Sequence, residues 1–203
     1  MIKLQNISHS YGKSDLLLQN INLRLKERET TALIGPSGCG KSTLARIIAG
    51  HLRPTKGKVF LDGKDCTYRP NRDIFLIRRN DLFPGMRVLK QVMFFQRVKD
   101  RGRAKEILEA VRLVGVDRHF PGELSEGMKA RLALARAIVV NPTVLILDEA
   151  FSSLDDDLRI ELQRKLKAIW VEKTVLIITH QKDDLWLADR VVQLSKDKPS
   201  TLV

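Results

Sequence analysis

The 203-residue sequence predicts an α/β fold in which a mostly parallel sheet is covered by helices. Two four-residue runs, 144–147 and 175–178, are apolar throughout, which is typical of strands buried on both faces. Segments with helical periodicity lie between the predicted strands, as in β-α-β units. Residues 4–8 and 21–25 instead alternate apolar and polar side chains, so they predict half-buried strands of an N-terminal antiparallel β subdomain.

The remaining elements complete this pattern. Asp62 and Gly63 follow an apolar triplet and predict a hairpin turn. The helical stretch at about residues 85–138 separates two strands of the sheet, and we expect it to be an inserted helical subdomain within one domain spanning residues 1–203. In chain order, we expect strands at residues 31–34, 59–61 and 191–194, and helices at residues 42–50, 89–114, 132–140 and 160–171.

The composition is that of a globular protein with a basic surface. Lys and Arg number 36 against 24 Asp and Glu, so the formal net charge is +12. This excess indicates an acidic partner such as a nucleotide, a nucleic acid or an anionic membrane face. The two cysteines, Cys39 and Cys66, form no disulfide framework and favour a reducing compartment. The apolar runs are short, so we expect neither a secretory signal peptide nor a membrane-spanning segment.

A glycine-rich segment at residues 35–43 fits the pattern G-x-x-x-x-G-K-[ST] between a predicted strand and a predicted helix. Its glycines let backbone amides approach phosphate oxygens, and the following helix directs its positive dipole end at the anion. Lys41 supplies a cation to the β- and γ-phosphates, and the Ser42 hydroxyl is a ligand for Mg²⁺. The segment therefore predicts a P-loop NTPase core. The residues expected at the nucleotide are Gly35, Pro36, Ser37, Gly38, Cys39, Gly40, Lys41, Ser42 and Thr43.

Two acidic residues, Asp148 and Glu149, directly follow the apolar run at residues 144–147. Taken alone, this pattern is also compatible with the start of a helix. Ligands of open α/β sheets bind at the carboxyl ends of the strands, which is where the two acids are expected. Together with the phosphate loop, the pattern predicts that Asp148 holds Mg²⁺, directly or through water, and that Glu149 polarises the water that attacks the γ-phosphate.

A third motif carries a resemblance to a known family. Residues 124–131, Leu-Ser-Glu-Gly-Met-Lys-Ala-Arg, precede a helical segment and the acidic strand. This segment resembles the LSGGQ signature of the nucleotide-binding subunits of ABC transporters, which lies at the same place in the order of motifs. Residues 151–155 resemble the family's D-loop, and Thr179-His180 resembles its switch histidine. Tyr11 stands where the family has the aromatic ring that stacks on adenine.

The resemblance implies a mechanism in which two subunits sandwich ATP and Mg²⁺ head to tail. Each ATP would lie between Lys41 of one subunit and the signature of the other, where Ser125 and the backbone amide of Gly127 would meet the γ-phosphate. His180 would contact the γ-phosphate and position the attacking water. Asp155 would connect the two sites across the interface.

The resemblance also implies partners and a location. The expected partners are membrane-spanning permease subunits, a second copy of the chain or a homologous ATPase subunit, and a solute-binding protein; no nucleic acid is expected. The chain would be peripheral, on the cytoplasmic face of the cell (inner) membrane. The region at residues 83–95 would receive the permease subunits through its apolar side chains. A separate ATPase subunit without fused membrane helices is typical of prokaryotic importers.

Several positions depart from the family pattern. Arg78 stands where the family has a glutamine that senses Mg²⁺ and water, and a guanidinium near Mg²⁺ is repelled. Our hypothesis is that Arg78 either contacts phosphate or turns toward a partner. Glu126 replaces a glycine of the signature. Met128 replaces its glutamine, as in importers of the nitrate, sulfonate and taurine type.

Two alternatives stay open on the sequence alone. The first is a soluble ABC-type ATPase that acts on nucleic acid or the ribosome, which the charge of +12 allows. The second is a homologue that binds ATP with impaired hydrolysis. Arg78 and Glu126 are compatible with that alternative, whereas Glu149 and His180 argue against it.

Overall fold

The computed structural model describes residues 1–12, 16–78, 81–195, 197 and 199–202. The chain divides into two compact units. The first comprises Met1–Leu76, Thr143–Asp148 and Trp170–Val203, and the second comprises Ile77–Pro142 and Glu149–Ile169. The helical subdomain predicted at about residues 85–138 falls within the second unit, which begins earlier in the chain and also includes residues 149–169.

The chain begins with three strands, which are followed by one helix, three more strands, three helices, a strand, a helix and two final strands. The elements are β1 Ile2–Ser10, β2 Leu16–Leu25, β3 Thr30–Ile34, α1 Lys41–Ile48, β4 Lys56–Leu61, β5 Lys64–Asp65, β6 Ile74–Arg78, α2 Val88–Phe95, α3 Arg101–Ala110, α4 Glu126–Val140, β7 Val144–Asp148, α5 Asp156–Trp170, β8 Thr174–Ile178 and β9 Arg190–Gln193.

One sheet of the first unit has four strands in the order β2-β1-β4-β5, and β1 pairs antiparallel with both β2 and β4. Alternate residues such as Ile2, Leu4 and Ile7 are buried, as the period-two pattern predicts. The β4–β5 hairpin turns at Asp62 and Gly63, whose φ angles are 49° and 79°. Two successive positive φ angles are typical of a type I′ turn, so the predicted N-terminal antiparallel sheet and its hairpin are both confirmed.

The other sheet has five strands in the order β6-β7-β8-β3-β9, and its β3–β8, β3–β9 and β7–β8 pairs are parallel. All five residues of β7 and of β8 are buried, which explains why residues 144–147 and 175–178 within them are uniformly apolar. Because neighbouring parallel strands end at the same edge, the segments that follow β3, β7 and β8 begin at one edge of the sheet. This edge carries Gly35, Asp148 and Thr179.

The second unit contains helices α2, α3 and α4, which pack against one another. The sequence predicted a single helical stretch from residue 89 to 114, but the structure has two helices separated by residues 96–100. Asp100 starts the second of them, because its carboxylate accepts a hydrogen bond from the Arg103 amide at 3.0 Å. Strand β6 was not predicted from the hydrophobic pattern. Among the described residues, no helix is long and apolar enough to cross a bilayer.

Candidate functional site

The phosphate loop connects β3 to α1 in a backbone conformation that requires glycine. Gly38 and Gly40 have φ angles of 76° and 101°. A Cβ atom on Gly40 would lie 2.6 Å from Cδ2 of Leu18, so this position is also restricted by close packing. Gly40 is the N-cap of α1 and brings no side-chain acceptor to the first amides of the helix. These amides therefore form a site suited to an anion.

Lys41, the first residue of α1, brings the positive charge to this loop. Its side chain is buried, and Nζ donates hydrogen bonds to the carbonyl oxygens of Gly35 at 2.8 Å and Pro36 at 2.9 Å. The ammonium is thus held over the loop by the loop's own backbone. A cation fixed beside free helix amides attracts phosphate oxygens.

The Mg²⁺ ligands predicted from the sequence meet across the sheet edge. Ser42 Oγ donates a hydrogen bond to Asp148 Oδ1 at 3.1 Å, and Asp148 is the buried last residue of β7. Among the described residues, no group of three or more His, Cys, Asp or Glu side chains is placed to hold a metal ion. A hydroxyl and one carboxylate fit Mg²⁺, which takes its remaining ligands from water and substrate phosphates.

Tyr11 lies beside the phosphate loop helix. Its hydroxyl is 3.1 Å from Oγ1 of Thr43, and its ring contacts His9 edge to face with a centroid distance of 4.7 Å. His9 is buried, and this burial lowers the pKa of its imidazole, which favours the neutral form. The Tyr11 residue remains 55% exposed, so the ring has surface available for stacking with a planar base.

His180 follows β8, in a segment held by a buried carboxylate. Thr179 Oγ1 donates to Asp184 Oδ2 at 2.5 Å, and the Gln181 amide donates to Thr179 Oγ1 at 3.0 Å. Asp184 is 3% exposed, whereas His180 is exposed. Asp184 was not predicted from the sequence, because Asp183-Asp184 has the appearance of a solvated acidic pair. The only indication in the sequence that the segment around His180 is held in place was its two polar neighbours, Thr179 and Gln181.

Glu149 directly follows Asp148 and belongs to the second unit. Its φ angle is 53°, a left-handed conformation that costs a non-glycine residue about 1 kcal/mol. The turn that holds it uses Ser152, whose amide and hydroxyl donate to the Glu149 carbonyl oxygen at 3.3 and 2.9 Å. Such strained residues are concentrated at functional sites.

The signature segment and the D-loop lie together in the second unit. Ser125 is the N-cap of α4, and its Oγ accepts a hydrogen bond from the Met128 amide at 3.2 Å. A Cβ atom on Gly127 would lie 3.0 Å from the Ser153 carbonyl oxygen, so glycine permits the close approach of the D-loop. Ser153 Oγ in turn donates to the Glu126 carbonyl oxygen at 3.3 Å.

The two charged residues predicted in these motifs have local partners. The carboxylate of Glu126, which replaces a family glycine, accepts a hydrogen bond from Lys129 Nζ at 2.7 Å on the same helix. Asp155 precedes α5, and its Oδ1 accepts a hydrogen bond from the Leu158 amide at 3.0 Å. Both carboxylates lie at helix N-termini, where the helix dipole stabilises negative charge.

Arg78, the last residue of β6, also has a defined partner. Its Nε donates to Asp81 Oδ2 at 2.8 Å, and its Nη2 donates to Asp81 Oδ1 at 2.7 Å. Two parallel hydrogen bonds of this kind match the planar fork of arginine, while the alternatives of the sequence hypothesis, phosphate or a partner protein, stay predictions. In the structure the guanidinium binds a carboxylate of its own loop.

The protein-family model for ABC transporters matches residues 18–152. The chain is 39% identical over 203 residues to the aliphatic sulfonates import ATP-binding protein SsuB of Bacillus cereus, covering 96% of this chain and 81% of that protein. The chain belongs to the ABC transporter family. Membership in this family, which the three sequence motifs predicted, is therefore confirmed.

Two further comparisons extend this result. The chain is 40% identical over 211 residues to the sulfate/thiosulfate import ATP-binding protein CysA 2 of Rhizobium meliloti, and it spans 57% of the length of that protein. A dimeric, post-hydrolysis structure of the ATP-binding cassette MJ0796 with ADP and Pi superposes with a TM-score of 0.88 at 30% identity, covering 100% of this chain and 96% of that one. The predicted P-loop NTPase fold of ABC cassettes is confirmed.

Proposed function

We propose that this chain is the ATP-binding subunit of an ABC importer and hydrolyses ATP to drive transport through separate membrane subunits. The observation that carries the proposal is the phosphate loop. A buried ammonium, that of Lys41, is held at the N-terminus of α1, and Ser42 meets Asp148 at the adjacent strand end. This combination suits a triphosphate with Mg²⁺.

The residues of the first unit would bind and orient ATP. Backbone amides of residues 38–42 and Nζ of Lys41 would hold the phosphates, and Tyr11 would stack on adenine. Ser42 and Asp148 would hold Mg²⁺, which supplies positive charge against the phosphate oxygens when bound. Cys39 is a buried residue of the loop and serves as a small spacer.

The residues around the γ-phosphate would promote attack by water. Glu149 accepts the proton of the attacking water, and His180 contacts the γ-phosphate and positions that water. The buried Asp184 supports this role of His180 because it fixes Thr179, the preceding residue. His180 keeps an exposed side chain, as contact with a ligand requires.

The second half of each site would come from another subunit. Ser125 can donate its hydroxyl proton to a γ-phosphate while its oxygen accepts the Met128 amide, and the Gly127 amide lies in the same first turn of α4. Asp155 would connect the two sites. The dimeric state of the similar cassette bound to ADP and Pi supports a dimer of this kind.

The membrane partners would dock on an aromatic surface of the second unit. Phe83, Phe94 and Phe95 form a cluster with ring centroid distances of 5.2–6.1 Å. Phe94 is 55% exposed and Phe83 is 37% exposed, so the cluster offers apolar area to a permease segment. The chain would lie on the cytoplasmic face of the membrane, with a solute-binding protein on the other side. The named cargoes of its relatives include sulfonates, sulfate and Fe(3+), so no single cargo carries over.

A direct test has two parts. The first measures steady-state ATP hydrolysis by the purified chain with and without Mg²⁺, and the second measures co-sedimentation of the chain with membranes and with RNA. The proposal predicts Mg²⁺-dependent hydrolysis and recovery with membranes that contain the permease subunits. Recovery of the chain with RNA instead of membranes, independent of ATP, would contradict the proposal. It would favour the alternative of a soluble ABC-type ATPase that acts on nucleic acid or the ribosome.

Replacing Tyr11 with alanine tests the adenine contact. We expect ATP affinity to fall about tenfold, because stacking on an aromatic ring contributes about 1–3 kcal/mol per base. Tyr11→Phe keeps the ring and loses only the contact with Thr43 Oγ1, so it should stay within about twofold of the parent. Equal losses in both variants would show that the hydroxyl, not the ring, is the important group. Equilibrium titration with a fluorescent ATP analogue measures both.

A further inference from the structure

Arg78 occupies the end of β6, where a metal-sensing residue was expected, yet its guanidinium is engaged by Asp81. The side chains of the pair are 33% and 41% exposed. Both carboxylate oxygens are used, and the two hydrogen bonds match the planar fork of arginine. The pair thus joins the end of β6 to Asp81, the first residue of the described segment that carries Phe83.

Asp81 is also held by α4, the helix that follows the signature segment. Nη1 of Arg136, on α4, donates a hydrogen bond to the Asp81 carbonyl oxygen. The Arg136 guanidinium also lies over the rings of Phe83 and Phe95, with its Cζ 5.0 and 4.6 Å from the ring centroids. Arg136 is 7% exposed, and burial lowers its pKa to about 10, which leaves it charged at neutral pH. Desolvated contacts of this type between a cation and an aromatic ring are strong.

A third contact joins the loop to α2. Gln91 is fully buried, and its side chain accepts from the Phe83 amide at 3.2 Å and donates to the carbonyl oxygens of Phe83 at 3.1 Å and Met86 at 2.9 Å. Asp81 is therefore the point at which Arg78 and Arg136 meet, and Phe83 is the point at which Arg136 and Gln91 meet.

We propose that Arg78 is a positioning residue that acts through Asp81 and fixes the loop carrying Phe83 to α4. The aromatic docking surface and the first turn of α4, which carries the signature residues, then move together. Arg78 then has no contact with Mg²⁺ or phosphate. The proposal rests on the proposed function for the roles of those two surfaces. The contacts themselves lie within the second unit and do not depend on that function.

Hydrogen exchange of the Asp81, Phe83 and Met86 amides tests the proposal on the full chain. These amides donate to the Arg78 carbonyl, to Gln91 Oε1 and to the Phe83 carbonyl, respectively. In Arg78→Gln and Asp81→Asn we expect exchange about fivefold faster than in the parent, the effect of one partly exposed ion pair. The double variant R78Q/D81N should exchange no more than about twofold faster than either single variant, because both substitutions remove the same ion pair.

The matched control is Arg103→Gln. Arg103 and Glu106 form an ion pair of the same sequence spacing on α3, with an Nη1–Oε2 distance of 2.8 Å, and its loss should leave the loop amides unchanged. The Mg²⁺ concentration for half-maximal ATP hydrolysis should be the same in Arg78→Gln as in the parent. A shift in that concentration without faster exchange, or additive losses of protection in the double variant, would overturn the proposal. If the parent hydrolyses no ATP, the proposed function fails, while the exchange rates still decide the role of Arg78.

Discussion

Replacing Lys41 with alanine is expected to reduce ATP hydrolysis at least about 100-fold, because it removes a fixed cation from developing phosphate charge. The structure makes this cation unusual: it is buried and held by the Gly35 and Pro36 carbonyl oxygens. No nearby mobile cation in the loop sequence replaces it. ATP affinity should fall as well, since the ammonium also contacts the ground-state phosphates, while the loss in rate reflects its stronger interaction with the transition state.

The control for Lys41→Ala is Lys64→Ala, an exposed lysine on the short strand β5. Lys64→Ala makes the same change in net charge as Lys41→Ala. It therefore separates the effect of losing the ammonium in the phosphate loop from the effect of lowering the overall charge of +12. Steady-state hydrolysis and thermal unfolding of both variants provide the measurement. Hydrolysis by Lys41→Ala at a tenth of the parent rate or more would contradict the assigned role.

Replacing Glu149 with glutamine is expected to give the second large effect, of a different kind. Hydrolysis should fall about 10²–10⁴-fold, the range for a lost general base, while ATP binding remains. Glutamine is isosteric and leaves the hydrogen bonds from Ser152 to the Glu149 carbonyl in place. The variant should therefore accumulate an ATP-bound dimer, because hydrolysis no longer opens it.

Sedimentation velocity with ATP and single-turnover hydrolysis measure these two properties of Glu149→Gln. The control is Glu109→Gln, an exposed glutamate near the end of α3 that makes the same chemical change outside the site. If Glu149→Gln turns over ATP at the parent rate, another group removes the proton from water. Loss of ATP binding in this variant would instead indicate that the residue contributes to the fold of the turn after β7.

The parts predicted well from the sequence are those in which a local pattern and a chemical requirement coincide. Strands β7 and β8 are buried at every position, so their four-residue runs 144–147 and 175–178 are apolar throughout. The phosphate loop needs glycine where φ is positive, as at Gly38 and Gly40, and this requirement is visible in the residues themselves. The fold class followed from these features, the family followed once the signature segment at residues 124–131 was added, and both are confirmed.

The parts that were missed depend on contacts between residues distant in the chain or on competing local patterns. The helix predicted through residues 96–100 is broken because Asp100 caps a new helix, and capping competes with continuous periodicity. The partner of Arg78 was not predictable from its alignment with a glutamine, since the Asp81 carboxylate contributes no recognisable motif. The buried Asp184 was hidden in an acidic pair for the same reason.

In the proposed mechanism two subunits form each composite site head to tail, and a mixing experiment tests this arrangement most directly. One variant is Lys41→Ala, and the other is Ser125→Asp, which retains an N-cap acceptor for α4 but places a carboxylate at the γ-phosphate. Neither variant should hydrolyse ATP alone. In an equal mixture with subunit exchange, half of the dimers hold one intact site, so hydrolysis should return to roughly a quarter of the parent rate. A mixture as inactive as its components, with exchange demonstrated, would contradict the shared site.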